Sequence, residues 1–259
     1  VVDGVMLRPL PFKDSERMVS IVRVIQSRPG ISGIIAAGHF EEWRRSSRSF
    51  EALAMLGGGP VSLTGSGEPE TVASARASAN LFSMLGVTVQ LGRAFLQEDE
   101  DQHAPVAIVS HALWRRRFAG DAGGVGRTIG IGGTPYSIVG VLPATFQFPS
   151  INQLYFAGPG ASASVPEIWT PIAPAPFELD PRAPVQNYAA IGRLRSGASV
   201  QQATADLNGL QAELAKLSLD GHVSEISILA MRDYMAQNYR AGLLLIWASG
   251  GAVLLISCV

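Results

Sequence analysis

The feature that most constrains this chain is its last stretch, an apolar run from Ala241 to Val259 that contains no charged side chain. A helix rises ~1.5 Å per residue, so such a run reaches about 28 Å, close to the ~30 Å hydrocarbon thickness of a bilayer. The run therefore predicts a membrane-spanning helix. The alternative is a buried helix of a soluble core, which over this length usually carries a polar stripe. The membrane-facing candidates are Leu243, Leu244, Leu245, Ile246, Trp247, Val253, Leu254, Leu255 and Ile256.

The composition excludes several classes of function. A net charge of −1 argues against a nucleic-acid-binding surface, which would need a basic excess. Cys258 is the only cysteine, so neither a disulfide framework nor a cysteine-based zinc site is available within one chain. Because the sequence begins at Val1 without methionine and the apolar run has no polar flank after Val259, we interpret the chain as part of a longer protein.

The first part of the chain has the pattern of a strand-helix-strand unit. Residues 18–25 alternate and are β-branched, which predicts a strand. Residues 39–50 predict a short helix, and residues 51–63 predict strands on either side of the Gly57-Gly58-Gly59-Pro60 segment. The apolar residues 1–12, interrupted by two prolines, are interpreted as the end of an earlier membrane helix, with a frayed terminus as the alternative.

A second strand-helix-strand unit lies near the end of the chain. Residues 185–194 predict a strand, and Ser199 with Gln202 forms the capping box that begins a helix. The apolar residues that follow at spacings of four and three form one buried stripe, made of Ala203, Leu207, Leu210, Leu214 and Leu217. Residues 223–230 predict a closing strand, and residues 231–240 continue with helical character into the apolar run.

The middle of the chain is rich in predicted strands. A short helix begins at a Ser110 cap, and residues 127–142 predict a hairpin that turns at Gly132-Gly133. Residues 167–172 predict an edge strand, because their proline cannot donate to a ladder. The order predicts an α+β fold in which two strand-helix-strand halves share one sheet and a β-rich part is inserted between them.

Motifs for nucleotide or serine chemistry are weak. Three glycines have the spacing G-x-G-x-x-x-G, at Gly124, Gly126 and Gly130. They follow a predicted helix and precede a predicted strand, whereas a phosphate-binding loop follows a strand and precedes a helix. No P-loop occurs, so any ATP hydrolysis must belong to another chain or segment. Ser110 and His111 are adjacent but stand in no G-x-S-x-G context.

Metal-binding and basic clusters are equally unspecific. The four histidines form no H-E-x-x-H pattern, and the acidic run 98–101 lacks the alternating spacing of a calcium loop, so we expect a solvated acidic loop. The arginines at 44, 45 and 48 and at 115–117 could meet lipid headgroups or a partner's acids. A solvated face with intramolecular ion pairs is the alternative that we favour.

Several segments together resemble a known family. These segments are LGV-x-x-x-LGR-x-F-x-x-E-D (85–99), VAIVSHALWRRRFAGD (106–121), VGRTIGIGGTPYSIVGVLPATFQFP (125–149) and GRLRSGASVQQATADL (192–207). They resemble the MacB-like periplasmic core domain of ABC-transporter permeases of the FtsX/MacB superfamily. The segment Arg8-Pro9-Leu10-Pro11 resembles the acidobacterial type of these permeases.

The resemblance implies an extracytoplasmic domain between two membrane helices of the bacterial inner membrane. Residues 13–80 and 184–230 would form a sheet-and-helix subdomain, and residues 81–183 an inserted β-rich subdomain. Residues 1–12 would end the first membrane helix, and residues 231–259 would form a lever and the second one.

The resemblance also implies partners and a mode of action. The partners would be a cytoplasmic ATP-binding subunit or domain, a second permease in a dimer, the lipid bilayer and a periplasmic adaptor, with no nucleic acid. The domain would transmit helix motion without catalysis, so no catalytic, cofactor or metal residue is expected. A membrane-anchored binding or sensor module without an ATPase partner and an envelope hydrolase are the alternatives.

Overall fold

The fold was analysed in a computed structural model, which describes residues 11–24, 31–32, 34–65, 68–148, 154–155, 165–183, 186–217 and 225–235. The strands are β1 (Met18–Val24), β2 (Ile31–Ser32), β3 (Phe50–Thr64), β4 (Glu70–Ala77), β5 (Leu91–Gly92), β6 (Val106–Val109), β7 (Thr128–Ile131), β8 (Thr134–Val141), β9 (Ile168–Pro171), β10 (Ala189–Leu194) and β11 (Glu225–Ala230). The helices are α1 (Ala37–Ser46), α2 (Leu81–Leu85), α3 (Gln97–Asp101), α4 (His111–Phe118) and α5 (Val200–Ala215). Residues 231–235 are also helical.

The two predicted strand-helix-strand units interleave in one antiparallel sheet. The units are β1-α1-β3 and β10-α5-β11, and their strands lie in the order β11-β1-β10-β3. This is the order of the split β-α-β, or ferredoxin-like, arrangement. Each unit thus places a strand between two strands of the other, so neither half can form its part of the sheet alone.

Helices α1 and α5 cover this part of the sheet with a shared core. Phe40 and Trp43 of α1 and the predicted stripe residues Ala203 and Leu207 of α5 are buried there, and Leu214 of the stripe is also buried. The predicted capping box is confirmed. The N–H of Gln202 donates to Ser199 Oγ at 3.1 Å, and Gln202 Oε1 accepts from the N–H of Ser199 at 2.9 Å.

Two members of the predicted stripe are not fully buried, and the first, Leu210, is partly buried against the same core. Leu217 is 53% exposed, because α5 ends at Ala215 and the stripe ends with it.

Strand β3 is longer than the sequence pattern indicated. The interpretation of two strands around Gly57-Gly58-Gly59-Pro60 was wrong, since one strand runs from Phe50 to Thr64. Its first half pairs with β10 and its second half with β4, so the glycines lie where the strand changes partner. Gly58 has φ of +149°, and a Cβ there would lie 2.3 Å from the carbonyl oxygen of Ser74. Only glycine allows β4 to approach this closely.

The inserted strands continue the sheet in the order β4-β9-β6-β8-β5. The predicted hairpin is confirmed as β7 and β8, with positive φ at Gly132 and Gly133. Strand β9, predicted at the edge, instead lies between β4 and β6. Its proline is tolerated because β6 pairs only with Ile168 and Trp169, so Pro171 lies beyond the end of that ladder.

Three groups of buried side chains form the interior. One lies under α1 and α5, one lies between α4 and the hairpin β7–β8, and a central core between them contains Phe82, Trp169 and Phe148. The chain therefore has the mixed sheet-and-helix fold expected from its sequence. The proposed subdomain boundaries at residues 80–81 and 183–184 remain predictions.

Candidate functional site

The two segments that leave the sheet towards the ends of the chain start side by side. Strands β1 and β11 are antiparallel neighbours, with Val19 opposite Ala230. Residues 11–17, here called the leading segment, precede β1. Residues 231–235, here called the following segment, come directly after β11. Both segments therefore depart from the same end of the sheet.

Both segments are anchored in the central core. Phe12 of the leading segment is buried, and its ring centroid lies 6.1 Å from that of Phe148. Met231 and Tyr234 of the following segment are fully buried, and Tyr234 Oη donates to the carbonyl oxygen of Leu154 at 2.9 Å. Burial raises the pKa of Tyr234 to about 12, so the phenol remains a donor at neutral pH.

A buried arginine ties the leading segment to two elements of the body. Arg193 of β10 is 4% exposed, and its Nη2 donates to the carbonyl oxygens of Lys13, at 2.9 Å, and of Met84. Its Nη1 lies 3.5 Å from Asp14 Oδ2 and 3.9 Å from Glu51 Oε1. One guanidinium thus joins β10, helix α2 and the leading segment, and two carboxylates offset its charge.

A second arginine extends this network. Arg17 donates to Glu51 Oε2 and Asp14 Oδ2, each at 2.6 Å, and to the carbonyl oxygen of Leu194 at 3.0 Å. The hydrogen bond from Arg17 lowers the pKa of Asp14, and the bonds to Glu51 and Asp14 raise the pKa of Arg17. Asp14 and Arg17 therefore stay ionised at neutral pH.

Backbone contacts complete the attachment of the leading segment. The N–H of Lys13 donates to the carbonyl oxygen of Leu85 at 3.1 Å. Gly86 ends α2 with φ of +71°, and a Cβ there would lie 2.6 Å from Lys13 Cβ. The left-handed glycine both ends the helix and makes room for the leading segment.

Aromatic contacts connect this junction to the inserted strands. The ring centroid of Phe148 lies 5.3 Å from that of Trp169 in β9, and the centroid of Trp169 lies 5.5 Å from that of Phe82 in α2. The ring centroids of Phe82 and Phe95 are 5.9 Å apart. Close-packed rings resist relative displacement, and these rings connect Phe12 of the leading segment to α2 and β9.

A cavity of about 530 Å³ contains Ser110, His111 and Glu167, the residue types of a hydrolase triad. Their hydrogen bonds do not form a relay. Ser110 Oγ caps α4, His111 Nδ1 lies 3.0 Å from Gln90 Oε1, and Glu167 accepts from Arg116 at 2.8 Å. This arrangement lacks the nucleophile-base contact that acyl transfer needs.

The acidic run forms a helix, so the expectation of a solvated loop was wrong. Asp99 is buried in α3, where its carboxylate accepts two hydrogen bonds from Arg93 at 2.5 and 3.0 Å and one from the N–H of Leu96. These bonds lower the pKa of Asp99, the bond from Arg93 most strongly. Within the described ranges, no three His, Cys, Asp or Glu side chains come together as metal ligands would.

Four arginines of the two basic clusters form intramolecular ion pairs, as expected. The pairs are Arg44 with Glu41 and Glu100, Arg45 with Glu42, Arg116 with Glu70 and Glu167, and Arg117 with Glu70. These clusters are therefore largely neutralised by the fold.

The predicted membrane-helix residues, from Leu243 to Ile256, lie outside the described residues. Over the part of the chain that the structure describes, no helix has the length and apolar character needed to cross a bilayer. The junction residues Arg17 and Arg193 were not identified from sequence. The signal available for Arg193 was a charged residue within an otherwise uncharged, apolar strand, residues 189–194.

Comparisons with solved structures identify the fold. A domain of a permease protein from Porphyromonas gingivalis matches with a TM-score of 0.63 at 17% identity, covering 85% of this chain and 93% of that one. The periplasmic region of MacB from Actinobacillus actinomycetemcomitans matches with a TM-score of 0.60 at 12% identity, covering 90% and 96%. The extracellular domain of the noncanonic ABC-type transporter YknZ from Gram-positive bacteria matches with a TM-score of 0.53 at 13% identity, covering 82% and 99%.

Sequence comparison is more specific. No curated protein matches the chain. The family model of the MacB-like periplasmic core domain matches residues 1–210, which is most of the sequence and agrees with the resemblance of its motifs. The chain belongs to the family of MacB-like periplasmic core domains.

Proposed function

We propose that this periplasmic domain couples ATP-driven movement of the permease's membrane helices to export or to another envelope process, without catalysing a reaction. The observation that carries the proposal is the junction of the leading and following segments. Both leave one end of the sheet and both are anchored in the central core. A force on either segment would therefore act on the same set of packed side chains.

The partners follow from this role. MacB-like permeases work with a cytoplasmic ATP-binding subunit or domain and, in the family generally, with periplasmic adaptors. For this chain we propose the ATP-binding partner, a second permease, the inner-membrane bilayer and an adaptor. Residues 231–259 would serve as the lever and second membrane helix, and residues 1–12 would end the first.

Isolation of the full-length permease from native membranes tests the partner. We expect an ATP-binding subunit or a fused ATP-binding domain in the purified complex, together with ATPase activity. A permease that is isolated without either would instead be a membrane-anchored binding or sensor module.

A distance measurement tests the coupling itself. Thr134 is exposed at the turn between β7 and β8, far along the chain from either segment. A spin label at Thr134→Cys, in a Cys258→Ser background, reports the distance between the two permeases of a dimer. We expect this distance to change when ATP binds. The same distance in both nucleotide states would contradict the coupling.

Two arginine substitutions, one in the junction and one outside it, test whether the junction is part of the coupling path. Arg193→Met should remove or reduce the ATP-dependent change, because it disconnects the leading segment from β10 and α2. Arg195→Met is the control, because Arg195 is exposed and, among the described residues, its side chain donates to the carbonyl oxygen of Arg48 and not to the leading segment. If both variants respond to ATP as the parent does, the buried arginine is not part of the coupling path.

A further inference from the structure

Glu100, in helix α3, contacts two segments that are distant in sequence. Its Oε2 accepts from the N–H of Ala79 at 2.6 Å, and its Oε1 accepts from Arg44 Nη1 at 3.3 Å. The Glu100 side chain is 12% exposed. Ala79 lies where the chain passes from β4 to α2, and Arg44 belongs to α1. One carboxylate thus joins α1, this crossing and α3.

Arg44 is shared between two carboxylates. Its Nη2 lies 2.7 Å from Glu41 Oε2, while its Nη1 reaches Glu100. Burial raises the pKa of Glu41, and the nearby Glu100 charge adds to that rise, while Arg44 and Arg45 oppose it. The neighbouring Arg45 is paired with Glu42 on the same helix. Without the Arg44 cation, Glu41 and Glu100 would repel each other, which favours separation of α1 from α3.

The contact lies at the joint between two parts of the fold. Helix α1 packs on the interleaved part of the sheet, and α3 lies between β5 and β6 of the inserted part. Exposing contacts of the buried apolar core to water has a large free-energy cost. The Arg44 side chain is 37% exposed, so its guanidinium can exchange the 3.3 Å contact with Glu100 for water at a lower cost. The joint thus has a polar contact suited to opening and closing.

We propose that Glu100 and Arg44 form a switchable clasp, closed in this structure, which opens when the inserted part moves relative to α1. This inference rests on the proposed coupling function and names the place where the motion is gated. The N–H of Ala79 reports whether the Glu100 carboxylate keeps its place when the clasp opens, because Glu100 is its hydrogen-bond acceptor.

Hydrogen exchange in the nucleotide-free, full-length permease tests whether the clasp exists. Glu100→Gln should accelerate exchange at the Ala79 amide about 10- to 100-fold, the factor expected for loss of a charge-assisted hydrogen bond. Glu98→Gln is the matched control, because Glu98 lies on the same helix, is exposed and accepts a hydrogen bond from Gln102, one turn further along the chain. Unchanged exchange in Glu100→Gln, or equal acceleration in both variants, would overturn the clasp.

A cross-link tests whether the clasp must open. Arg44→Cys and Glu100→Cys are joined by a short bismaleimide in the Cys258→Ser background, and the spin label at position 134 is then carried by an unnatural amino acid, so that the distance between the two permeases remains the readout. The double variant lacks the Glu100 acceptor of Ala79, so Ala79 exchange is followed only in the parent, where we expect ATP to accelerate it. We expect ATP to change the position-134 distance in the unlinked double variant, but not in the linked one. If Ala79 exchange stays independent of ATP in the parent while the Thr134 distance changes, the clasp is a static brace and the coupling function stands. If neither changes with ATP, the coupling function itself fails.

Discussion

Asn208 of helix α5 binds both backbone groups of Ile226 in strand β11. Its Nδ2 donates to the carbonyl oxygen of Ile226 at 2.7 Å, and its Oδ1 accepts from the N–H at 2.8 Å. In the described sheet, β11 pairs only with β1. The Asn208 amide therefore supplies the hydrogen-bond partners that a second neighbouring strand would otherwise provide. The strand that leads into the following segment is therefore fastened to a helix as well as to the sheet.

Replacing Asn208 with alanine should lower the free energy of unfolding by about 1–3 kcal/mol, because two backbone groups lose their partner at once. Chemical denaturation measures the change. Gln201→Ala, at an exposed position of the same helix, should alter stability by less than about 0.5 kcal/mol. Equal effects of the two substitutions would show that helix propensity, not the clamp on β11, is responsible.

Asp206 should make stability depend on acid pH. Its Oδ2 accepts from Ser47 Oγ at 2.5 Å and from the N–H groups of Arg48 and Ser49 at 3.0 and 3.1 Å, which fastens the end of α1 to α5. Burial alone would raise the pKa of Asp206, but these hydrogen bonds together lower it. The stabilisation is therefore present above the ordinary aspartate pKa of about 4 and is lost as pH falls through the lowered value.

Asp206→Asn tests this dependence. At neutral pH the variant should be less stable by about 1–3 kcal/mol, and its difference from the parent should shrink as the pH falls below about 4. Unfolding midpoints measured from pH 7 to pH 3 give both quantities. A difference that stays constant with pH would mean that the carboxylate charge does not matter.

Arg193→Met should detach the leading segment. The substitution leaves the carbonyl oxygens of Lys13 and Met84 without their donor, at a cost of about 2–3 kcal/mol. Limited trypsin digestion should cleave after Lys13 faster than in the parent protein. Arg195→Met should leave that cleavage rate unchanged, and parent-like cleavage in Arg193→Met would show that the backbone bonds of the segment suffice.

Gly58→Ala should disrupt the pairing of β3 with β4. A Cβ at Gly58 would lie 2.3 Å from the carbonyl oxygen of Ser74, and φ is +149°. We expect a loss of about 2–4 kcal/mol in unfolding free energy, as for other combinations of strain and overpacking. Gly59→Ala is the control, since a Cβ there would meet no atom within 4 Å. Thermal unfolding compares the two, and similar midpoints would contradict the steric argument.

Tyr234→Phe should weaken the anchor of the following segment by about 1 kcal/mol, through loss of the hydrogen bond to Leu154. Because burial raises the folded pKa of Tyr234 to about 12, above the ordinary value of about 10, its contribution is full below pH 10 and declines above it. Unfolding midpoints between pH 8 and pH 11 should fall less steeply in the variant. An unchanged slope would contradict the pKa argument.

Sequence patterns predicted the parts of the fold that depend on near neighbours. The Ser199–Gln202 capping box, the Ser110 cap and the Gly132-Gly133 turn are all confirmed, because each depends on backbone groups a few residues away. The presence of two strand-helix-strand units in one sheet was also foreseen, since both units carry the periodicity of strands and an amphipathic helix, but the interleaving of their strands was not. Family-specific motifs then identified the MacB-like domain.

Long-range partners were not predictable in the same way. Strand β9 was placed at an edge because of its proline, and only the short length of β6 shows why an interior position tolerates it. The acidic run was expected to be a solvated loop, whereas Asp99 binds Arg93 beside it and Glu100 binds Ala79 and Arg44, which are distant in sequence.

The sequence by itself determined most strands and helices, the caps and the hairpin, together with the family to which the chain belongs, because these depend on local backbone preferences and on motifs of neighbouring residues. It did not determine the single strand β3 or the helix α3. Only the tertiary structure decided that Arg193 meets Lys13, and that Glu100 meets Arg44. These partners lie 180 and 56 residues apart. The physical reason is that a charged side chain can pair with many others in an extended chain, and the sheet order selects which of them it reaches.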